Sequence, residues 1–235
     1  MVLFGVIPVV PDVNYSPPMK HISALLIISY FLALPVTSSD YYKTSNNPEI
    51  LFEGTLSNDL PQWNNYFNRR KMFGLFTQME GSSSRIIKYN YRNDNFQEGV
   101  FLPFDEKFNY SDPWINKEGD YMLLQANIGL SGIVSDQFKI CESFLTDQGW
   151  TQPTPIPELV NHKSNEGSPS LAKNGNLYFN ALNENGDYDI FVLRNGRDKP
   201  ETLSKNINSG NYEGDFFMDD KEQFIVFSSA NRNDS

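Results

Sequence analysis

Side chains that commonly catalyse reactions are scarce in this sequence. It holds two histidines, His21 and His162, and a single cysteine, Cys141. A zinc site needs three or four protein ligands, most often His and Cys, and a catalytic serine needs a base such as histidine beside it, so these residues supply neither arrangement. Cys141 stands in an apolar run, which predicts a buried and unreactive thiol. The sequence therefore predicts no catalysis within its 235 residues.

Oxygen ligands that suit calcium are concentrated in one segment, Asn183 to Asp189, with the sequence NENGDYD. The segment lacks the spacing and the terminal glutamate of an EF-hand loop, and its central Asn-Gly pair is typical of a tight turn between two strands. We therefore interpret it as a turn and expect no cofactor. The alternative is a calcium site formed by Asn183, Asn185, Asp187 and Asp189.

The charged residues are mainly acidic, since 29 Asp and Glu against 19 Lys and Arg give a formal net charge of −10. Such a surface repels phosphate backbones, and basic residues are clustered only at Arg69-Arg70-Lys71. The charge distribution therefore argues against a nucleic-acid partner.

A repeated strand–turn–strand unit organises the chain and positions its polar residues. In the clearest copy, a turn at Lys173-Asn174-Gly175 separates a polar lead-in from the strand Leu177-Tyr178-Phe179. A second turn then precedes a strand from Asp189 to Leu193. The lead-in Glu166-Gly167-Ser168-Pro169-Ser170 recurs 47 residues later as Glu213-Gly214-Asp215-Phe216-Phe217.

Two earlier copies begin at Ser111-Asp112-Pro113-Trp114 and, more weakly, near Leu60-Pro61-Gln62-Trp63. The lead-ins are followed by the apolar runs MFGLF, YMLL, LYF and FIVF, and continuous runs of this length predict strands covered on both faces. Units of roughly 40 to 55 residues with several short strands are typical of a β-propeller, with a β-sandwich as the alternative.

The third copy resembles a known repeat. Ser168 to Phe179, SPSLAKNGNLYF, is similar to the PD40 repeat of WD40-like, TolB-type propellers, whose pattern is roughly D-P-x-F-S-P-D-G-K-x-L-Y-F. Asp187 to Phe191 is similar to the next strand of that family, and Phe224 to Arg232 to its F-S-S-N-R segment. Ala172 and Glu222 depart from the pattern. The resemblance covers roughly residues 48–235 and implies an all-β propeller of four-stranded antiparallel blades.

From this register we predict a partial propeller over residues 40–235. Its blades are expected at about 58–105, 106–160 and 161–207, with a truncated blade at 208–235. The sequence stops at Ser235, in a turn that would precede another strand, and a sheet needs that strand to satisfy its backbone groups. We therefore expect an incomplete propeller of about three and a half blades from a longer protein.

In a propeller, the loops that enter the innermost strands surround one mouth of the central channel, and a mouth with converging polar groups is a default binding site. The register predicts a site composed of Asp112, Trp114, Glu166, Ser168, Ser170, Glu213, Asp215 and Phe217.

Residues 19–39 have the pattern of a secretory signal peptide. Met19-Lys20-His21 precedes an apolar run of about 13 residues, followed by small residues after Pro35. A membrane anchor is the alternative, although the run is shorter than the roughly 20 residues of a span. Met19 is then the expected start, and we predict that residues 1–18 are a spurious or disordered leader outside the fold.

Together these features predict an exported protein, periplasmic or secreted, with no membrane span after signal cleavage. We expect a scaffold that binds a protein or a small ligand, and the TolB resemblance implies a partner in the bacterial envelope. The first alternative is the gating propeller of a secreted prolyl-oligopeptidase-like serine peptidase whose catalytic domain lies beyond residue 235. A second is a propeller joined to an OmpA-like, peptidoglycan-binding domain.

Overall fold

The computed structural model describes residues 3–8, 52–129, 131–157, 165–210 and 212–230, the first of these ranges for its backbone alone. The chain divides into two compact units, and every element below belongs to the unit made of residues 1–9 and 52–235. The predicted signal peptide at 19–39, His162 and the last five residues lie outside the described ranges.

The described strands of this unit form three sheets. The first contains β2 (Gln62–Asn68), β3 (Phe73–Glu80), β4 (Ser83–Arg92), β5 (Asn95–Phe96) and β6 (Val100–Phe101). The second contains β7 (Tyr110–Ile115), β8 (Tyr121–Ile128), β9 (Val134–Thr146), β10 (Gly149–Trp150) and β11 (Thr154–Pro155). The third contains β1 (Leu3–Pro8), β12 (Gly167–Leu171), β13 (Leu177–Leu182), β14 (Tyr188–Leu193), β15 (Glu201–Thr202), β16 (Tyr212–Met218) and β17 (Phe224–Ala230).

The fold is therefore all-β, as predicted, and no helix occurs within the described ranges. Apart from β14 and β16, neighbouring strands of the described sheets pair antiparallel, for example β3 with β4 from Phe73–Asn90 to Glu80–Ser83. Three of the four apolar runs form β3, β8 and β13, in which most positions on both faces are buried, and for these strands the predicted coverage of both faces is confirmed. The fourth run, FIVF, begins β17, where Phe224 and Val226 are only half-buried, so the face that carries them is covered in part.

Hydrophobic clusters lie between consecutive sheets. One cluster joins Leu75 of β3 and Ile86 of β4 to Tyr110 of β7 and Met122 of β8, so the first two sheets pack face to face. A second joins Leu123 of β8 to other residues of the second and third sheets. Burying one such side chain contributes roughly 1.5–3 kcal/mol, and these clusters therefore account for much of the cohesion between sheets.

The third sheet contains the third and fourth copies of the sequence repeat. They are joined by one parallel bridge between Tyr188 of β14 and Tyr212 of β16. A further cluster, which includes Tyr178, Ile190 and Phe227, also packs the two copies together.

At its far edge the third sheet is extended by β1. This strand pairs antiparallel with β17, from Leu3–Ser229 to Pro8–Phe224. Residues 1–18 were expected to lie outside the fold, whereas six of them form a strand. Their interpretation as a spurious leader stays a prediction. Among all the described residues we find no helix with the length and hydrophobicity that a membrane crossing requires.

Candidate functional site

Four strands that open the sequence repeats carry the same irregularity. In β2, β7, β12 and β16, two residues lie opposite one residue of the following strand, which defines a β-bulge. The first residue of each bulge has a left-handed backbone: φ is +45° at Asn64, +54° at Asp112, +46° at Ser168 and +44° at Asp215. This conformation costs a non-glycine residue about 1–2 kcal/mol. Each bulge therefore turns the side chain of its first residue in a new direction at a cost in backbone energy.

The four redirected side chains meet, and we call them the bulge cluster. Asn64 Nδ2 donates a hydrogen bond to Asp112 Oδ1 and lies 3.5 Å from Asp215 Oδ1. The backbone amide and the hydroxyl of Ser168 both donate to Asp112 Oδ2, each at 3.1 Å. Residues from all three sheets therefore converge at one point.

The two carboxylates of the bulge cluster differ in environment. Asp112 is half-buried, and its pKa is raised by burial and, to a lesser extent, by the charge of Asp215, although hydrogen bonds from Asn64 and Ser168 act in the opposite direction. Asp215 is exposed, and its Oδ2 accepts from the hydroxyls of Tyr212 at 3.1 Å and Ser228 at 3.2 Å. The cluster can accept hydrogen bonds from a cationic or donor-rich group of a ligand.

Glu166 and Glu213, which the sequence analysis placed in the binding site, are fully buried. Glu166 Oε2 accepts a hydrogen bond from Lys139 Nζ at 2.8 Å. Glu213 Oε1 accepts from the amide of Gly210 at 2.8 Å and from Ser229 Oγ at 2.9 Å. Both glutamates thus hold neighbouring strands and loops together. The residues two positions after them, Ser168 and Asp215, belong to the bulge cluster instead.

The other residues of the predicted site are distributed between the core and the surface. Ser170 is buried, and Trp114 is a half-buried part of the core, with edge-on contacts to Tyr66 and Tyr121. Phe217 is 49% exposed, and its ring centroid lies 6.1 Å from that of Phe224. Of the eight predicted residues, the structure joins Asp112 and Ser168 by hydrogen bonds and connects Asp215 to them through Asn64.

Asn64 is a member of the cluster that the sequence analysis missed. The first repeat lacks the Glu-Gly lead-in, which hid the alignment. The signal that could have found it is distance along the chain, because Asn64 precedes Asp112 by 48 residues, close to the period of 47 between Ser168 and Asp215.

The segment from Asn183 to Asp189, for which calcium was the alternative interpretation, is a hydrogen-bonded turn between β13 and β14. Asn183 Oδ1 accepts from the amides of Asn185 at 2.8 Å and Asp187 at 3.1 Å, and Asn183 Nδ2 donates to Asp189 at 3.1 Å. These bonds are the ones expected of an Asx-type turn. Within the described ranges, no three His, Cys, Asp or Glu side chains are grouped so that they could hold a metal ion.

No family model matches this chain, and a search of curated proteins finds no match.

Proposed function

We propose that this chain is part of a β-propeller that acts as a binding scaffold, with the bulge cluster at one mouth of its channel. The convergence of four bulge residues from four successive repeats is the observation that carries the proposal. In a propeller, the first strand of each blade lies next to the axis, so equivalent residues of successive blades approach one another. Hydrophobic clusters between consecutive sheets agree with radial stacking of blades.

The chemistry of the cluster favours a ligand with a positively charged or hydrogen-bond-donating group. Asp215 is exposed, Asp112 lies beside it, and the chain as a whole carries a formal net charge of −10. An acidic site attracts cations and raises their association rate. A basic segment of a protein that presents Lys or Arg at the channel mouth fits these properties.

Two fluorescent pools of random peptides test this proposal, one rich in Lys and Arg and the other rich in Asp and Glu. We expect the basic pool to raise fluorescence anisotropy with the unaltered chain and the acidic pool to have no effect. In the variant that combines Asp112→Asn with Asp215→Asn, affinity for the basic pool should fall by roughly tenfold or more, since two charge-assisted contacts are lost. Equal binding by this variant, with an unchanged melting temperature, would refute the proposal.

The pH dependence of peptide binding provides a second readout of the same site. Because the pKa of Asp112 is raised, its carboxylate takes up a proton at a higher pH than an ordinary aspartate, whose pKa is about 3.9. Affinity for the basic pool should therefore begin to fall, on acidification, at a pH above that ordinary value. Asp112→Asn removes the titrating group and should flatten this part of the pH profile.

Export and an envelope partner belong to the same proposal and rest on sequence patterns alone. Residues 19–39 have the order of basic, apolar and small residues that signal peptidases recognise. Intact mass measurement on protein recovered from the periplasm or medium of a bacterial host tests this. A mature N-terminus near residue 40 supports export, whereas retention of the whole leader in the cytoplasm contradicts it.

A further inference from the structure

A second polar concavity lies on the first sheet, on a part of the unit that the bulge cluster does not use. Its space of about 650 Å³ is within the range of small-molecule sites. It is open to solvent and is bordered by the segment after Phe52, by β3 and β4, and by the loop from Asn95 to Gly99. The side chains that matter for its chemistry are those of Asn58, Gln78, Tyr89, Phe96, Gln97 and Glu98.

Gln78 lines this cavity from the sheet and is only 4% exposed. Its Oε1 accepts hydrogen bonds from Asn58 Nδ2 at 3.1 Å and from Gln62 Nε2 at 2.8 Å. Gln62 Nε2 also contacts the hydroxyl of Tyr89, at 3.3 Å. Two amides thus fix the orientation of the Gln78 side chain, with its oxygen committed to the protein.

The amide nitrogen of Gln78 donates to no described residue. Because the oxygen of this side chain is fixed by two protein amides, its nitrogen is held at the wall of the cavity and is available to donate to a ligand. The hydroxyl of Tyr89 accepts from Gln62 and retains its own proton to donate. Both groups provide donors on the floor of the cavity.

The lining excludes several classes of ligand. It contains no Lys, Arg or His among the described residues, so a phosphate or carboxylate would be desolvated without a counter-charge. Its walls are mainly polar, which disfavours a purely apolar ligand. Side-chain amides both donate and accept hydrogen bonds, as sugar hydroxyls do, and the Glu98 carboxylate can accept from two hydroxyls at the rim.

From these observations we propose that the cavity binds an uncharged saccharide. Hydroxyl groups of the sugar pair with Gln78, Gln97 and Glu98, and its apolar C–H face packs towards the ring of Phe96. The site is independent of the bulge cluster, because no residue of that cluster lines it.

Saturation-transfer NMR on the full chain tests the site with named probes: maltotriose, cellotriose, triacetylchitotriose and, as an anionic counterpart, trigalacturonate. We expect saturation transfer to at least one neutral trisaccharide and none to trigalacturonate. No transfer to any neutral trisaccharide at up to about 10 mM would overturn the proposal. Preference for trigalacturonate would overturn it as well.

Three variants locate the binding. Gln78→Glu is nearly isosteric and keeps an acceptor for Asn58 and Gln62, but it replaces the free donor, so the dissociation constant should rise roughly fivefold or more. Gln97→Ala alters an exposed side chain and should weaken binding similarly without affecting folding. Asn185→Ala removes an exposed amide from the β13–β14 turn and is the matched control, which should bind as the unaltered chain does.

Unchanged affinity in Gln97→Ala and in a folded Gln78→Glu would place the saccharide elsewhere and refute the assignment. Asp215→Asn separates this inference from the proposed function. It should reduce binding of basic peptides and leave saccharide binding unchanged, whereas loss of both would show that the cavity is not an independent site.

Discussion

Glu222 shows how one residue can offset backbone strain through its side chain. Corresponding turns of three repeats contain Gly119, Gly175 and Glu222. In each turn the backbone amide of this residue donates to the carbonyl three residues earlier, and its φ is positive. Glu222 has φ of +59°, which glycine adopts at little cost. Its carboxylate accepts hydrogen bonds from the side chains of Tyr178 at 2.7 Å, Asn176 at 2.7 Å and Asn174 at 2.9 Å. Glu222, which departs from the repeat pattern, therefore links the fourth repeat to the third.

We expect Glu222→Gln to lower the free energy of unfolding at pH 7 by about 1–3 kcal/mol, because charge-assisted hydrogen bonds are lost. Burial raises the pKa of Glu222, but hydrogen bonds from Tyr178, Asn176 and Asn174 outweigh it and leave the pKa below its ordinary value. The stabilisation is therefore present above the unfolded pKa of about 4.3 and is lost as pH falls through the lower folded value. Urea unfolding at several pH values measures the difference between the two proteins.

A pair of glycine substitutions separates strain from hydrogen bonding. Met72 is exposed and has φ of +56°, so Met72→Gly should be neutral or stabilising by up to about 1 kcal/mol. Glu222→Gly relieves similar strain but removes three hydrogen bonds, and it should be destabilising. A more stable Glu222→Gly protein would contradict the role given to this carboxylate.

At the scale of elements, a buried ion pair connects β9 of the second sheet to the start of β12 in the third. Lys139 Nζ lies 2.8 Å from Glu166 Oε2, and the two side chains are 10% and 0% exposed. Removing both charges from water is costly, so such a pair stabilises mainly by penalising any arrangement that separates its members. The pair therefore fixes the packing of these two sheets more than it adds to overall stability.

We expect Lys139→Met to lower the free energy of unfolding by about 3–5 kcal/mol, because the Glu166 carboxylate stays buried without its ammonium. Adding Glu166→Leu to that variant should restore much of the loss. The control is Arg194→Met, which breaks an exposed pair with Glu201 at 3.0 Å and should cost less than about 1 kcal/mol. Equal losses in Lys139→Met and Arg194→Met, measured by thermal or urea unfolding, would contradict the role of burial.

For the whole molecule, Cys141 reports on the cohesion of the stacked sheets. Its side chain is fully buried in the cluster between the first and second sheets, which also contains Leu124 and Phe104. Burial, together with the negative charge of Glu142, raises the pKa of the thiol to about 12. A thiol reagent can therefore reach a reactive thiolate only after the sheets separate.

Labelling of Cys141 by a disulfide reagent at pH 8 should be negligible in the native state and should follow the rate of unfolding in urea. Because the sequence has no other cysteine, the signal is unambiguous. Loss of packing between the first two sheets, for instance in Leu75→Ala, should destabilise the protein by about 2–5 kcal/mol and accelerate labelling by a factor that rises exponentially with that loss. Rapid labelling of the unaltered native protein would contradict the burial of this thiol.

Local patterns were sufficient to predict the all-β class and the covered strands. The apolar runs around Leu75, Leu123 and Phe179 are continuous, and a strand with apolar residues on both faces is stable only between other layers. The repeat register also placed Asp112, Ser168 and Asp215 at corresponding positions, because equivalent sequence segments form equivalent strands and bulges.

Only the tertiary structure decided which polar residues meet and which are buried. Glu166 and Asp112 both belong to polar lead-ins, yet one is enclosed beside Lys139 and the other turns towards Asn64. The direction of each side chain depends on a bulge whose backbone is held by the neighbouring strand, and the orientation of the Gln78 amide depends on partners 16 and 20 residues away. Such long-range contacts leave no local pattern in the sequence, because they are fixed only when the sheets pack together.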